Sequence, residues 1–153
     1  MLPQVVDAVK VPVIAAGGVA DSRQVAAAFM LGASAVQIGT AFLRSEEANV
    51  PDAYRAAVRE ASDSSTVVTD MITGRPARFI RNKLADDLVA SGLEAVSFPA
   101  QMSVTAPLGA TGDREVTALF AGQSAPLARD TNAAAFVEFL GQDTTLQLRA
   151  FLD

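Results

Sequence analysis

The chain has 153 residues, of which 50% are hydrophobic and 19% charged, enough for one domain with a sizeable core, and a composition that excludes a disordered chain. Lys and Arg number 12 against 17 Asp and Glu, a net charge of −5, which argues against a nucleic-acid or anionic-membrane surface and leaves any anionic ligand dependent on local donors. Neither cysteine nor histidine occurs, which excludes from these residues a disulfide framework, a thiolate metal site and the usual general base near neutral pH.

Leu2-Pro3-Gln4-Val5-Val6-Asp7-Ala8-Val9 reads as an amphipathic helix with proline in its first turn and Val5, Val6 and Val9 on one side. It lacks the character of a secretory signal. The longest apolar runs also fall well short of the ~20 residues of a membrane span, so the expected location is cytoplasmic. From Val11 to Thr40 the order is strand, glycine turn, helix, strand and glycine turn. Pro12-Val13-Ile14-Ala15-Ala16 is an apolar run ending in Gly17-Gly18, and Ser34-Ala35-Val36-Gln37-Ile38 is a second ending in Gly39-Thr40. Between them Asp21 and Gln24 have capping-box spacing, Val25, Ala26, Phe29 and Met30 supply an apolar helical face, and Gly32 stops the helix. A crossover helix makes the two strands parallel and sets their carboxyl ends side by side.

A short helix through Ala41-Phe42-Leu43 and an acidic turn at Glu46-Glu47 lead to a helix over 51–61 that carries Tyr54, Ala57 and Val58. The βα rhythm then stops. Thr66-Val67-Val68-Thr69 is β-prone, Thr73-Gly74-Arg75-Pro76 is a turn, and residues 77–90 read as a helix, basic first and acidic at Asp86-Asp87. Residues 93–102 give a further helix broken at Pro99, and 103–115, with Pro107, Gly109 and Gly112, a loop. The last segment returns to helix over 124–128, 133–140 and 145–152.

The paired glycine turns carry the chemistry. Phosphate oxygens must reach main-chain N–H groups, and Gly17, Gly18 and Gly39 remove the Cβ that would block them, while Thr40 adds a hydroxyl and the short helix after it adds N–H donors. A Gly-Gly turn alone more often only turns the chain, but two at the ends of consecutive parallel strands favour phosphate. The stretch AAGGVA lacks the G-x-G-x-x-G spacing of a dinucleotide fold, and no P-loop occurs. What remains is the last part of a (β/α)8, or TIM, barrel, whose phosphate site is commonly built by the loops after strands seven and eight. A whole barrel takes about 250 residues. The expectation is therefore an α/β chain forming the C-terminal portion of one barrel domain, its last two parallel strands plus a helical tail. Residues 1–44 are its phosphate-binding βαβ segment, and 45–153 are mainly helical.

These residues resemble the nitronate monooxygenases, formerly called 2-nitropropane dioxygenases, which are FMN-dependent (β/α)8 flavoproteins. The likeness is strongest in LPQVVDAV (2–9), PVIAAGGVAD (12–21), residues 26–40 with Leu31-Gly32-Ala33 and Gln37-Ile38-Gly39-Thr40, TGRPARFIRN (73–82) and AGQS (121–124). The Ala-Gly-Gly stretch alone is shared by many phosphate-binding barrels. The resemblance implies FMN as cofactor, its phosphate contacted by Gly18 and by Gln37, Ile38, Gly39 and Thr40, with Gly17 shaping the turn. It implies an oxidoreductase that oxidises alkyl nitronates with dioxygen to a carbonyl product and nitrite. The family's catalytic histidine lies in a Gly-Gly-His segment that this chain does not contain, so no catalytic residue is assigned and the 153 residues alone are expected to be inactive. Where the family reads Asp-Gly-Arg-Gly, this chain has Asp21-Ser22-Arg23-Gln24, a change expected to alter packing.

Two alternatives stand beside this reading: a flavin-dependent enoyl-acyl-carrier-protein reductase of the related barrel group, and a non-catalytic truncated piece. The expected partners are a small-molecule nitronate, dioxygen and a second copy recruited through the open strand edge at Pro12–Ala16, with no metal, nucleic acid or membrane. Arg75, Arg78, Arg81 and Lys83 read as a solvated helix face paired with Asp86 and Asp87 rather than an anion site. Gly122-Gln123-Ser124 either closes over the cofactor pocket or caps a helix. Tyr54 reads as a core-edge aromatic, and Met30, Met71 and Met102 as packing residues.

Overall fold

A computed structural model describes residues 1–151. In chain order its elements are α1 Leu2–Ala8, β1 Ile14–Ala16, α2 Ser22–Met30, β2 Ala35–Gln37, α3 Asp52–Glu60, β3 Thr66–Thr69, β4 Ala77–Ile80, α4 Lys83–Ala90, α5 Ala100–Gly109 and α6 Ala133–Arg149. Short 3-10 turns lie at Thr40–Arg44, Arg114–Val116 and Ala125–Leu127. The chain divides into two compact units, one of Met1–Ala48 with the residues from Leu127 onward, the other Asn49–Pro126. Among the described residues no helix is long and apolar enough to cross a membrane.

In the first unit β1 and β2 pair in parallel, Ile14 opposite Ala35, Ala15 opposite Val36 and Ala16 opposite Gln37, as a crossover helix requires. Both strands are shorter than their apolar runs. Pro12 has no N–H to give a ladder, and Val13 is held only through its carbonyl, which accepts from Ser34 N at 2.8 Å. The capping box at α2 forms: an Asp21 oxygen accepts from Gln24 N at 3.0 Å, and Gln24 Oε1 accepts from Ala20 N at 2.7 Å and Asp21 N at 3.3 Å. Gly32, at φ 93°, closes the helix. α2 buries Ser22, Val25, Ala26 and Ala28 and is tied to α6, where Ser22 Oγ donates to the Asp143 carboxylate and Thr144 Oγ1 to Ser22 O. α6 is one helix where the sequence suggested two. Gly141 costs about 1 kcal/mol in a helix interior, but the Asn132 cap, whose Oδ1 accepts from Ala135 N at 2.7 Å, and the Phe136 ring edge-on to Phe42 at 5.0 Å hold the run together. The expected last helical residue, Leu152, lies outside the described residues.

The second unit corrects the sequence reading at residues 77–80. They are not the start of a helix but strand β4, antiparallel to β3 with Thr66 opposite Ile80 and Val67 opposite Phe79. Partners distant in sequence decide this. Ile80 N donates to Leu119 O at 2.7 Å and Ala121 N to Arg78 O at 3.2 Å, so β4 is bonded on both edges. The basic residues therefore do not share a helix face. Arg75 lies 4.5 Å over the Phe98 ring, Arg78 Nη1 donates to Thr66 Oγ1 at 3.0 Å, and Arg81 pairs with Asp86 at 2.8 Å. Only Lys83, with Asp87, makes the expected helical pair.

α4 begins at Lys83 because Asn82 caps it: Oδ1 accepts from Ala85 N at 3.0 Å, and Nδ2 donates to the carbonyls of Arg114 and Thr117, both at 2.7 Å. The helix expected over 93–102 is displaced to Ala100–Gly109 and takes up residues read as loop. Its buried polar side chains explain the shift, since Gln101 Nε2 donates to Met71 O at 2.6 Å and Thr105 Oγ1 to Ile72 O at 2.8 Å. Ile72, Phe79 and Ala85 form the core of this unit, with Val67, Ala77, Leu88 and Ala118 packed against them.

Candidate anion site at the paired glycine turns

Because β1 and β2 are parallel and end at the facing pair Ala16 and Gln37, Gly17-Gly18 and Ile38-Gly39-Thr40 leave the sheet at the same end, side by side. All six residues singled out in the sequence, Gly17, Gly18, Gln37, Ile38, Gly39 and Thr40, lie at this edge. Gly17 and Gly18 have φ 88° and 72°, consecutive left-handed residues that a side chain would strain. A Cβ at either would meet nothing within 4 Å, so their backbone, and not crowding, requires glycine. Gly39 differs. Its φ of −115° is open to other residues, and a Cβ there would also face open space. The Thr40–Arg44 turn is a five-residue 3-10 helix, too short for much of a dipole. Gly17, Gly18 and Gly39 are exposed at this edge, and main-chain N–H groups are the kind of donor such glycines bring to an anion. The Gly17-Gly18 turn opens onto a groove of about 530 Å³ lined by residues 13–19, Val5 and Leu31.

Arg44, at the far end of the second turn, escaped the sequence reading. Its side chain is 13% exposed and meets both Asp130 oxygens, Nε to Oδ1 at 2.9 Å and Nη2 to Oδ2 at 2.8 Å. Its Nη1 donates to Ala128 O at 2.5 Å. The partners are more than eighty positions away, so no local pattern announces them.

Asp21 caps α2 directly after the first turn. Burial pushes its carboxyl up, but the Arg23 guanidinium at 2.5 Å and the Gln24 N–H outweigh that and hold it below the ordinary 3.8. The ionised form is thus favoured on folding. Its stabilisation is complete above pH 3.8 and is lost as pH falls through the lower folded value. Asp21→Asn should therefore be less stable than the parent near neutrality, with the gap closing as pH falls below 3.8; urea melts at neutral pH and on the acid side of that value are the check. In the other unit burial raises the Tyr54 hydroxyl to about 12, and it donates to Phe120 O at 2.5 Å. It stays protonated near neutral pH and is structural, as the sequence suggested. Among the described residues no group of three or more His, Cys, Asp or Glu could hold a metal ion.

The fold defines an α/β protein with a βαβ unit whose two glycine turns leave the sheet at the same end. Comparison with known proteins makes the class specific. The sequence model described as nitronate monooxygenase matches residues 1–143, and the chain belongs to that family. A probable nitronate monooxygenase of Staphylococcus saprophyticus is 38% identical over 142 residues, 90% of this chain and 40% of that protein. One from Staphylococcus aureus is 39% identical over 132 residues, 84% of this chain and 37% of that protein. Among solved structures, nitroalkane oxidase from Streptomyces ansochromogenes matches 99% of this chain and 44% of its own, with TM-score 0.87 and 34% identity. FabK from Thermotoga maritima matches 98% of this chain and 49% of its own, with TM-score 0.84 and 34% identity. The chain thus spans about two fifths of the curated relatives it matches.

Proposed function

We propose that this chain is the part of a (β/α)8 flavoprotein barrel that carries the last two strands and holds the phosphate of FMN, and that the whole protein is a nitronate monooxygenase acting in the cytoplasm. The observation that supports this reading is the parallel register ending at Ala16 and Gln37, which puts both glycine turns at the same end of the sheet. Family membership supports it. The site fits a phosphate, since the space beside Gly17, Gly18 and Gly39 is empty to 4 Å and main-chain N–H groups can approach an anion there. Gly18 and the run Gln37-Ile38-Gly39-Thr40 would hold the phosphate, and Gly17 would shape the turn. Bound FMN supplies the oxidation of an alkyl nitronate by dioxygen to a carbonyl product and nitrite. These residues anchor and orient. With no histidine in the chain, no proton transfer is assigned to it, and the 153 residues alone are expected to show no turnover.

The test is titration of the 15N-labelled chain with FMN, riboflavin and inorganic phosphate. FMN should move the amide resonances of Gly17, Gly18, Gly39 and Thr40, phosphate should move the same set more weakly, and riboflavin should leave them. Gly18→Val should weaken FMN about ten-fold, because it loses both the left-handed turn and the open approach. FMN and riboflavin behaving alike would overturn the reading.

A second reading is a flavin-dependent enoyl-acyl-carrier-protein reductase of the related barrel group, whose phosphate segments resemble Gly17-Gly18 and Gly39-Thr40 of this chain. In the complete protein, flavin reduction by NAD(P)H with an enoyl thioester as acceptor would favour the reductase. Oxygen uptake with ethylnitronate and no pyridine nucleotide would favour the monooxygenase.

A further inference from the structure

We propose that Arg44 is a positioning residue for the flavin phosphate: its guanidinium locks the turn bearing Gly39 and Thr40 to residues 128–131 and so sets where that turn presents its N–H groups. This rests on the phosphate reading above and adds a residue to it.

The turn leaves little slack between the lock and the site. Phe42 N donates to Gly39 O at 2.9 Å and Ser45 N to Phe42 O at 3.0 Å, while Ser45 Oγ bonds Phe42 O at 2.8 Å. A displacement at Arg44 therefore reaches Gly39. Arg44 itself is held in a plane, because a fork that meets both carboxylate oxygens of Asp130 and a third acceptor, Ala128 O, has one orientation. The neighbouring residues fasten the same two segments: Ser45 bridges Thr131, Glu46 N donates to Thr131 O at 2.9 Å, and Glu47 Oε2 accepts from Ala133 N at 2.8 Å. Arg44 does not act as a free cation. Its charge is matched by Asp130, so its influence on an anion is steric and directional.

That distinction gives opposite expectations for one substitution. If Arg44 worked by charge, Asp130→Asn would release positive charge and tighten phosphate binding. If it works by position, the same change loosens the fork and weakens FMN. Amide spectra and affinities for FMN and riboflavin would be measured for the parent chain, Arg44→Met, Arg44→Lys and Asp130→Asn.

Without ligand, Arg44→Met should move the Gly39 and Thr40 resonances and leave those of Gly17 and Gly18. The preference for FMN over riboflavin should fall about ten-fold in Arg44→Met and in Asp130→Asn, with no further fall in the double variant. Arg44→Lys, which keeps the charge but not the fork, should lose most of the same preference. Tighter FMN binding in Asp130→Asn, equal losses for both ligands in Arg44→Met, or unmoved Gly39 and Thr40 would each overturn the proposal. Asp130 is 54% exposed, so its substitution keeps the test available if Arg44→Met unfolds. A parent chain that does not separate FMN from riboflavin would overturn the phosphate reading itself, whereas a parent that separates them beside variants that do so equally well would overturn only the role of Arg44.

Discussion

Phe79→Ala should cost about 3–5 kcal/mol, a large share of the roughly 5–15 kcal/mol that holds a domain folded. The ring is 0% exposed and packs with Ile72 and Ala85, its centroid 4.6 Å from that of Phe120. Relaxation into the vacated space is restricted, because β4 is bonded to β3 on one edge and to residues near Leu119 on the other, and a backbone pinned on both sides cannot collapse onto a cavity. Phe79→Leu, which keeps most of the volume, should cost well under half as much. Urea denaturation of the two variants and the parent gives the comparison. Equal losses for Leu and Ala would mean that the ring is not what fills this core.

Gly74→Ala is the second large effect, expected at about 2–5 kcal/mol from two additive causes. At φ 84° the residue is left-handed, and a Cβ would lie 2.5 Å from both Phe98 N and Val96 O. Those are backbone atoms, so no rotamer change relieves the contact. Gly92 supplies the control. It too is left-handed, at φ 68°, but a Cβ there meets nothing within 4 Å, so Gly92→Ala should show only the conformational part, about 1–2 kcal/mol. The difference between the two substitutions, read from the same melts, isolates the close approach of the 96–98 segment. Its loss should also separate the Arg75 guanidinium from the Phe98 ring. Similar costs at both glycines would contradict this account.

Both effects fall within TGRPARFIRN, residues 73–82, one of the stretches on which the family resemblance rested. The structure assigns it local packing work: Gly74 admits a neighbouring backbone, Phe79 fills the core, and Asn82 caps α4 while holding the carbonyls of Arg114 and Thr117. The basic residues in it have separate partners and share no helix face. Motif recognition located a family correctly here without locating a ligand, because a residue kept for packing and one kept for binding look alike in a single sequence.

Local signals made the first forty-four residues legible. Asp21 and Gln24 satisfy each other's backbone donors over three positions, Gly32 ends α2 by its own conformation, and two apolar runs around a crossover helix have only the parallel arrangement open to them. The grouping of Gly17, Gly18, Gln37, Ile38, Gly39 and Thr40 at one edge follows from that, since strand direction alone puts the turns together. The glycines there differ in kind: Gly17 and Gly18 are left-handed, whereas Gly39 has an ordinary φ.

What the sequence by itself determined is the βαβ unit, its paired glycine turns and the family to which they belong, each written in residues a few positions apart. Tertiary structure alone decided that residues 77–80 form a strand, that a helix begins at Ala100, that α6 runs unbroken through Gly141, and that Arg44 is clamped by Asp130. Each of those outcomes depends on a partner that is remote in the chain or on packing along a neighbouring element. A helix propensity of a few tenths of a kcal/mol per residue does not outweigh backbone hydrogen bonds and buried side chains supplied from a distance.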